Sequence, residues 1–484
     1  MSPYTVIAAR SRPLRQFVVV LVVLILAAGT TAEVSARQPF FNVLAYSAKN
    51  DGTADASEAF KPAIKAAHNA GGGTVFVPAG RYMSGPIELP SNITLDVDAG
   101  ATIAFPVAPV PFVRGRHLGV EALVPMPLIS ATDAENVTVT GRGVLTTGDY
   151  NAWATAYGPA PKIAARSDNA NGPKWDRLLK KLEAGETATG ADFRAAAPEL
   201  RPSFLCFTRT RNVLIEGVRI VGAPTFAVHL LYSENATVRD VTVEAYPGPH
   251  ANGIVVDSSR FVRIENDFID TGDDGIVIKA GKDADGLRVN RPSEDVVIAN
   301  CTVHRAHGAV VIGSETSGGI RNLTASNIVA DGTEVGIRIK SRGGVAENVR
   351  FDNWTMQNVG KGVEVTTYYT VCGESATAEE PVSRGTPVFR NIVIRNVSIR
   401  AAKQVADIEG LPEMPIAQLR VEDLIDSGKQ GIKAIFTRGL ELHRVRIDPQ
   451  MRTGFDMSSN TELVLDGVAS RGRSQGAAKI NVQY

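Results

Sequence analysis

A glycine followed by a small or branched apolar residue returns at coil-length intervals: Gly253-Ile254, Gly275-Ile276, Gly308-Ala309, Gly336-Ile337, Gly362-Val363 and Gly431-Ile432. The first four steps are 22, 33, 28 and 26 residues, a spacing at which units stack as a solenoid rather than fold separately. From about residue 90 the chain also shows short alternating apolar runs, many opened by Asn, such as those at Asn92, Asn136, Asn212, Asn235 and Asn391. Period-two patterning in such short runs means strands. Helical periodicity is confined to 57–70, with Ser57 as N-cap and Gly71-Gly72-Gly73 as stop, and to 174–184. A sandwich would show two-residue hairpin turns and a propeller would need about 40 residues per blade. The expected fold is therefore a right-handed, single-stranded parallel β-helix.

In such a coil equivalent positions form ladders about 4.8 Å apart. The inward ladder reads Ile254, Ile276, Ala309, Ile337 and Val363, with Val256, Ile278, Val311, Ile339 and Val365 two residues on. Alternate positions, including Lys279, Arg338, Lys340 and Glu364, then face outward. The position before each glycine reads Asn252, Asp274, His307, Val335. Asp273 stands beside Asp274, and Gly272 permits the turn that brings both carboxylates to one cleft.

Balanced charge, 51 Lys+Arg against 51 Asp+Glu, gives no global field for nucleic acid or an anionic membrane. Any polyanion specificity must be local. Arg10, Arg12 and Arg15 precede an apolar run from Phe17 to Ala28 and then small residues to Ala32 or Ala36. That is a signal-peptide layout, and the run is short of the ~20 residues a spanning helix needs. The expected organisation is a signal peptide at 1–36 and one β-helix domain at 37–484, exported to the periplasm or outside the cell and monomeric. Cys206, Cys301 and Cys372 are too few and too scattered for a disulfide framework or metal site. Cys206 and Cys301 read as small core residues.

Taken singly, a Gly-Asp-Asp turn, a histidine in a strand and an alternating Arg/Lys pair are ordinary surface features. On successive coils of one face they form a patch with acids at one end and cations at the other. Paired carboxylates supply the acid and base of glycosidic cleavage, and their mutual repulsion keeps one protonated. Arg338 and Lys340 suit a substrate carboxylate, so a uronate is the natural sugar.

The opening 41–55, ending Asn50-Asp51-Gly52-Thr53-Ala54-Asp55, and Gly71-Gly72-Gly73-Thr74-Val75-Phe76-Val77-Pro78 resemble the first coil of pectin-degrading β-helices. Thr271-Gly272-Asp273-Asp274, Ala306-His307-Gly308 and Arg338-Ile339-Lys340 resemble, in order, motifs of glycoside hydrolase family 28, the polygalacturonases. The resemblance covers nearly the whole mature chain. It implies a pectin-lyase-like solenoid and an inverting hydrolysis of acidic plant cell-wall polysaccharide or its oligosaccharides, without metal or organic cofactor. Asp273 would be the general acid, Asp274 a carboxylate activating water, and His307 a support for the acid. Arg338, Lys340, Lys279, Asn252 and Tyr368 would contact the sugars, with Tyr369, His229 and His250 as further contacts. The segment Gly313–Gly319 and Tyr368-Tyr369 resemble bacterial, often exo-acting members.

The chain departs from the family at one position. Where the family has Asn-Thr-Asp, this sequence has His250-Ala251-Asn252, and an amide orients water but does not accept its proton. Asp257 is expected to pair with Lys279 rather than to substitute. Residues 150–200, rich in Ala and Lys with Trp153 and Trp175, form an insertion expected to cover one end of the cleft. Two other readings remain open at this stage: a non-catalytic carbohydrate-binding β-helix, and a polysaccharide lyase using Ca²⁺ and a basic residue.

Overall fold

Each short run begins at a corner residue in the left-handed region, commonly asparagine. Asn92, Asn136, Asn212 and Asn235 have φ between 54° and 64°, a conformation that asparagine's short polar side chain tolerates. Their amides stack coil on coil: Asn136 Nδ2 donates to Asn92 Oδ1 at 2.7 Å, Asn212 to Asn136 at 2.9 Å, and Asn235 to Asn212 at 2.8 Å. A second column runs through Asn266, Asn300, Asn327 and Asn353. The strand-opening asparagines of the sequence are thus the corners of the coil.

Phe261 interrupts the first column. The register of its neighbours places it between Asn235 and Asp295, at φ 55° and 43% exposed. Phe261→Asn should relieve the ring of this conformation and restore the amide contact. We expect a gain of about 1 kcal/mol, partly offset by losing the Arg260 cation over the ring. A higher thermal midpoint checks this, and an unchanged or lower one contradicts it.

The computed structural model describes residues 39–148, 153, 172–248, 250–341, 343–368, 379–400, 402–448, 454–470 and 479–482. The expected signal peptide at 1–36, Tyr369, Cys372 and most of the first half of the 150–200 insertion lie outside them. Three parallel faces wind as a right-handed parallel β-helix, the hand that parallel crossovers take. One face is a sheet of thirteen described strands in unbroken sequence order, from Ile87–Glu88 to Lys479–Val482. We call it the site sheet. The other two faces merge where long strands such as Ile320–Asp331 bend through both. Among the described residues, the 57–69 helix begins at Ser57 itself, whose hydroxyl accepts from Gly85 N–H rather than capping.

The inward ladder is apolar and sealed: Ile254, Ile276, Val310, Ile337 and Val363 are at most 1% exposed. Ala309 lies in the core as expected, but Ile276 pairs with Val310 and Ile278 with Ile312, so the register slips by one residue and Val311 leaves the inward ladder. The cause is a bulge at Gly308. His307 N–H donates to Asp273 O, yet Gly275 N–H donates to Gly308 O, so one extra residue faces the Asp273-Asp274 turn. Val311 instead faces outward with Val255 and Val277, in a small cluster closed by Phe226. Cys301 lies in the core, but Cys206 is buried on the outer face beside His229.

One element was not foreseen. Phe112–His117 and Val120–Pro125 form an antiparallel hairpin over a two-residue turn. Leu118 and Gly119 take φ of 45° and 79°, so a leucine stands where such a turn usually shows Asn or Asp. Of the insertion, Pro173–Glu183 and Gly190–Ala196 are helical. Trp175 packs with Val120, Leu178, Ala196 and Leu200, while Trp153 lies in the main core. Trp175 is packing against the hairpin.

Candidate active site

The acid pair sits on the turn between strands Phe268–Thr271 and Ile276–Lys279. Only glycine fits at 272, since a Cβ there would lie 2.3 Å from Gly248 O. Thr271 Oγ1 donates to Asp273 O at 2.9 Å, and Asp274 N–H donates to Asp273 Oδ1 at 2.8 Å. These contacts hold the turn and aim both carboxylates into one cleft. His307 Nδ1 stands 3.6 Å from Asp273 Oδ1 and 3.7 Å from Asp274 Oδ1. The bulge makes room: a side chain at Gly308 would begin 3.2 Å from Asp274 Oδ1.

The cations close the other side. Lys340 Nζ lies 3.3 Å from Asp274 Oδ2, while Arg338 donates to His307 Nε2 at 2.9 Å and to Glu364 Oε2 at 2.5 Å. Glu334 approaches His307 Nε2 at 3.3 Å. Asp274 is buried, and its Oδ1, enclosed beside His307, has no hydrogen-bond partner among the described residues, which leaves one acceptor unused at the centre of the cluster.

Asp273 has a second imidazole neighbour. His250 Nδ1 stands 3.4 Å from its Oδ2. Burial pushes the Asp273 carboxyl up, but hydrogen bonds and charge from His250 and His307 outweigh it and hold it well below the usual carboxylate range.

Asp273, Asp274, His307, Arg338 and Lys340 therefore come together as expected. Asn252 is buried one coil before Asp274, its amide donating to His250 O at 3.3 Å. Three expectations change. Lys279 pairs with Glu315, not with Asp257, and its ammonium is raised to about 12 because Glu315 outweighs burial. Asp257 is held instead by Arg116 at 2.7 Å, beside His229. His229 is buried against Phe226 and Cys206, away from the cleft surface. Burial, and then the charges of Glu413 and Glu409 of later coils, push the Tyr368 hydroxyl up.

The cleft is asymmetric. On the side of the earlier coils the hairpin is tied down: Lys282 N–H donates to Gly119 O, Tyr232 Oη to Glu121, and Arg288 pairs with Glu121. Beyond His307 and Arg338 a groove of about 800 Å³ stays open, lined by Glu334, Lys361, Lys403, Gln404 and Lys429 among others. Asp273, Asp274 and His307 also bring one ligand atom each within 4.8 Å of one another. Ca²⁺ takes six to eight oxygen ligands, whereas here one of three donors is an imidazole and Lys340 already neutralises Asp274. The donor set does not fit that ion.

Residues 189–429 match glycosyl hydrolases family 28, and residues 40–105 match the rhamnogalacturonase A/epimerase, pectate lyase-like family. The solved exopolygalacturonase of Thermotoga maritima is 33% identical, with a TM-score of 0.73 over 87% of this chain and 92% of that one. The chain belongs to glycosyl hydrolases family 28. An exo-poly-α-D-galacturonosidase of Dickeya chrysanthemi is 28% identical over 389 residues, which are 76% of this chain and 64% of that protein. The Yersinia enterocolitica family 28 exopolygalacturonase, 21% identical with a TM-score of 0.65 over 91% of this chain and 79% of that one, shares the fold.

Proposed function

We propose that this family 28 member hydrolyses α-linked, galacturonate-containing pectic polysaccharide from a chain end, with inversion at the anomeric carbon. The observation that carries the reading is Asp273 and Asp274 gathered on one imidazole, with Arg338 and Lys340 closing the same cleft. Asp273, between His250 and His307, gives its proton to the departing glycosidic oxygen. Asp274, whose Oδ1 has no hydrogen-bond partner among the described residues, takes a proton from the attacking water. Asn252 positions that water without accepting its proton, so Asp274 is the single base. Arg338 and Lys340 counter the uronate carboxylate.

Chain-end action is supported by the cleft's one-sided closure. The hairpin occupies the side toward the earlier coils, and the exo-acting relatives match nearly the whole β-helix. Export rests on the Arg-rich, apolar, then small-residue layout of residues 10–36, and the enzyme acts as a monomer. A panel of pectic oligomers, scored for product length with and without chelator, tests the reading. Saturated monomer released at equal rate in chelator is expected. Unsaturated products, loss of activity in chelator, or binding without any new reducing ends would overturn it.

A further inference from the structure

We infer that the open groove beyond His307 is a polyuronate ladder, in which Lys403 and Lys429 take carboxylates of the chain that departs on cleavage. This rests on the hydrolase reading above and adds to it a ligand class: an unesterified polyuronate several sugars long. The pairing Gly308↔Val335↔Lys361↔Gln404↔Gln430 is regular. The residues just before these, His307, Glu334, Gly360, Lys403 and Lys429, therefore stack on successive rungs.

Three rungs separate His307 from Lys403, about 14 Å, and four separate it from Lys429, about 19 Å. An extended pyranose chain advances by a comparable distance per sugar, so the column offers one rung to each successive uronate. Lys403 and Lys429 are exposed along this column, flanked by the amides of Gln404 and Gln430. Lys361, by contrast, is bound to Glu364 at 2.7 Å and to Asp407 at 2.6 Å. The carboxylates lining the groove are Glu334 and Glu364. Both lie at its catalytic end, where Glu364 is paired with Arg338. The far end is therefore positive.

The groove also opens where the hairpin does not reach, so the short stretch of substrate lies under the hairpin and the remainder over the lysines. Small substrates end before Lys403. A chain with about four or more sugars on the departing side reaches it.

The experiment compares kcat/KM on hexagalacturonate and on digalacturonate, in the wild type and in a Lys403→Ala/Lys429→Ala variant. The ratio of the two values should fall on the order of tenfold in the variant. The wild-type ratio should itself decline with added salt. A ratio unchanged by the substitutions, or both substrates losing equally, overturns the ladder while leaving the hydrolase reading intact. If the wild type cleaves neither substrate, the hydrolase reading fails. Hexagalacturonate affinity, measured by calorimetry in Asp273→Asn with and without the two lysine changes, then decides the ladder: weaker binding upholds it and equal binding rejects it.

Discussion

Asp273→Asn is expected to lower kcat by on the order of 10³- to 10⁴-fold while leaving polymer affinity near that of the wild type. The substitution keeps the shape of a side chain enclosed by His250, His307 and the Asp274 N–H but removes the proton that must reach the glycosidic oxygen. Reducing-end release and calorimetric binding, measured on the same preparations, separate chemistry from binding. A variant that keeps more than a tenth of wild-type kcat would remove Asp273 from the role of acid.

Arg116→Met should destabilise the protein by about 3–5 kcal/mol, since it leaves Asp257 charged and buried without its main partner. Arg116 donates to Asp257 at 2.7 Å and to Ser258 at 2.8 Å, and its guanidinium lies 4.7 Å from the centre of the Tyr232 ring. Burial pushes Asp257 up, but Arg116 and then His229 outweigh it and hold the carboxyl below the usual range. A depressed carboxyl stabilises the fold above its unfolded pKa, about 3.9, and loses that contribution as pH falls through the folded value. The acid sensitivity of unfolding should therefore be smaller in Arg116→Met. Denaturant melts at neutral and acid pH measure both effects. A double variant, Arg116→Met/Asp257→Leu, should recover most of the stability, because apolar replacement of a buried ion pair is commonly tolerated. A loss below about 1 kcal/mol in the single variant would show that Arg116 does not anchor the hairpin.

The repeat made the coil legible because a solenoid writes its period into the sequence, and the outward Arg338 and Lys340 followed from strand alternation alone. The one-residue error that put Val311 in the core arose where the chain breaks its own rule. Gly308 looks like a ladder glycine, but it is a bulge that frees space beside Asp274. The hairpin was missed because Leu118-Gly119 lacks the usual turn residues. Asp257 and Lys279 do share a rung. Their partners, however, come from the hairpin and from the Gly313–Gly319 segment, which lie outside the ladder. The sequence ladder placed Val335 after His307, whereas the bulge at Gly308 brings Gly308 beside Val335 and so puts Glu334 next to His307; His250 was readable as the departure from the Asn-Thr-Asp motif. What the ladder could not convey was that both reach the same imidazole-carboxylate cluster.

The most direct test of the proposed chemistry is the anomeric configuration of the first sugar released, followed by proton NMR before mutarotation. From an α-linked galacturonan the account predicts β-galacturonic acid as the first-formed product, appearing as monomer from the earliest time points. First-formed α-anomer, or an unsaturated uronate, would contradict it.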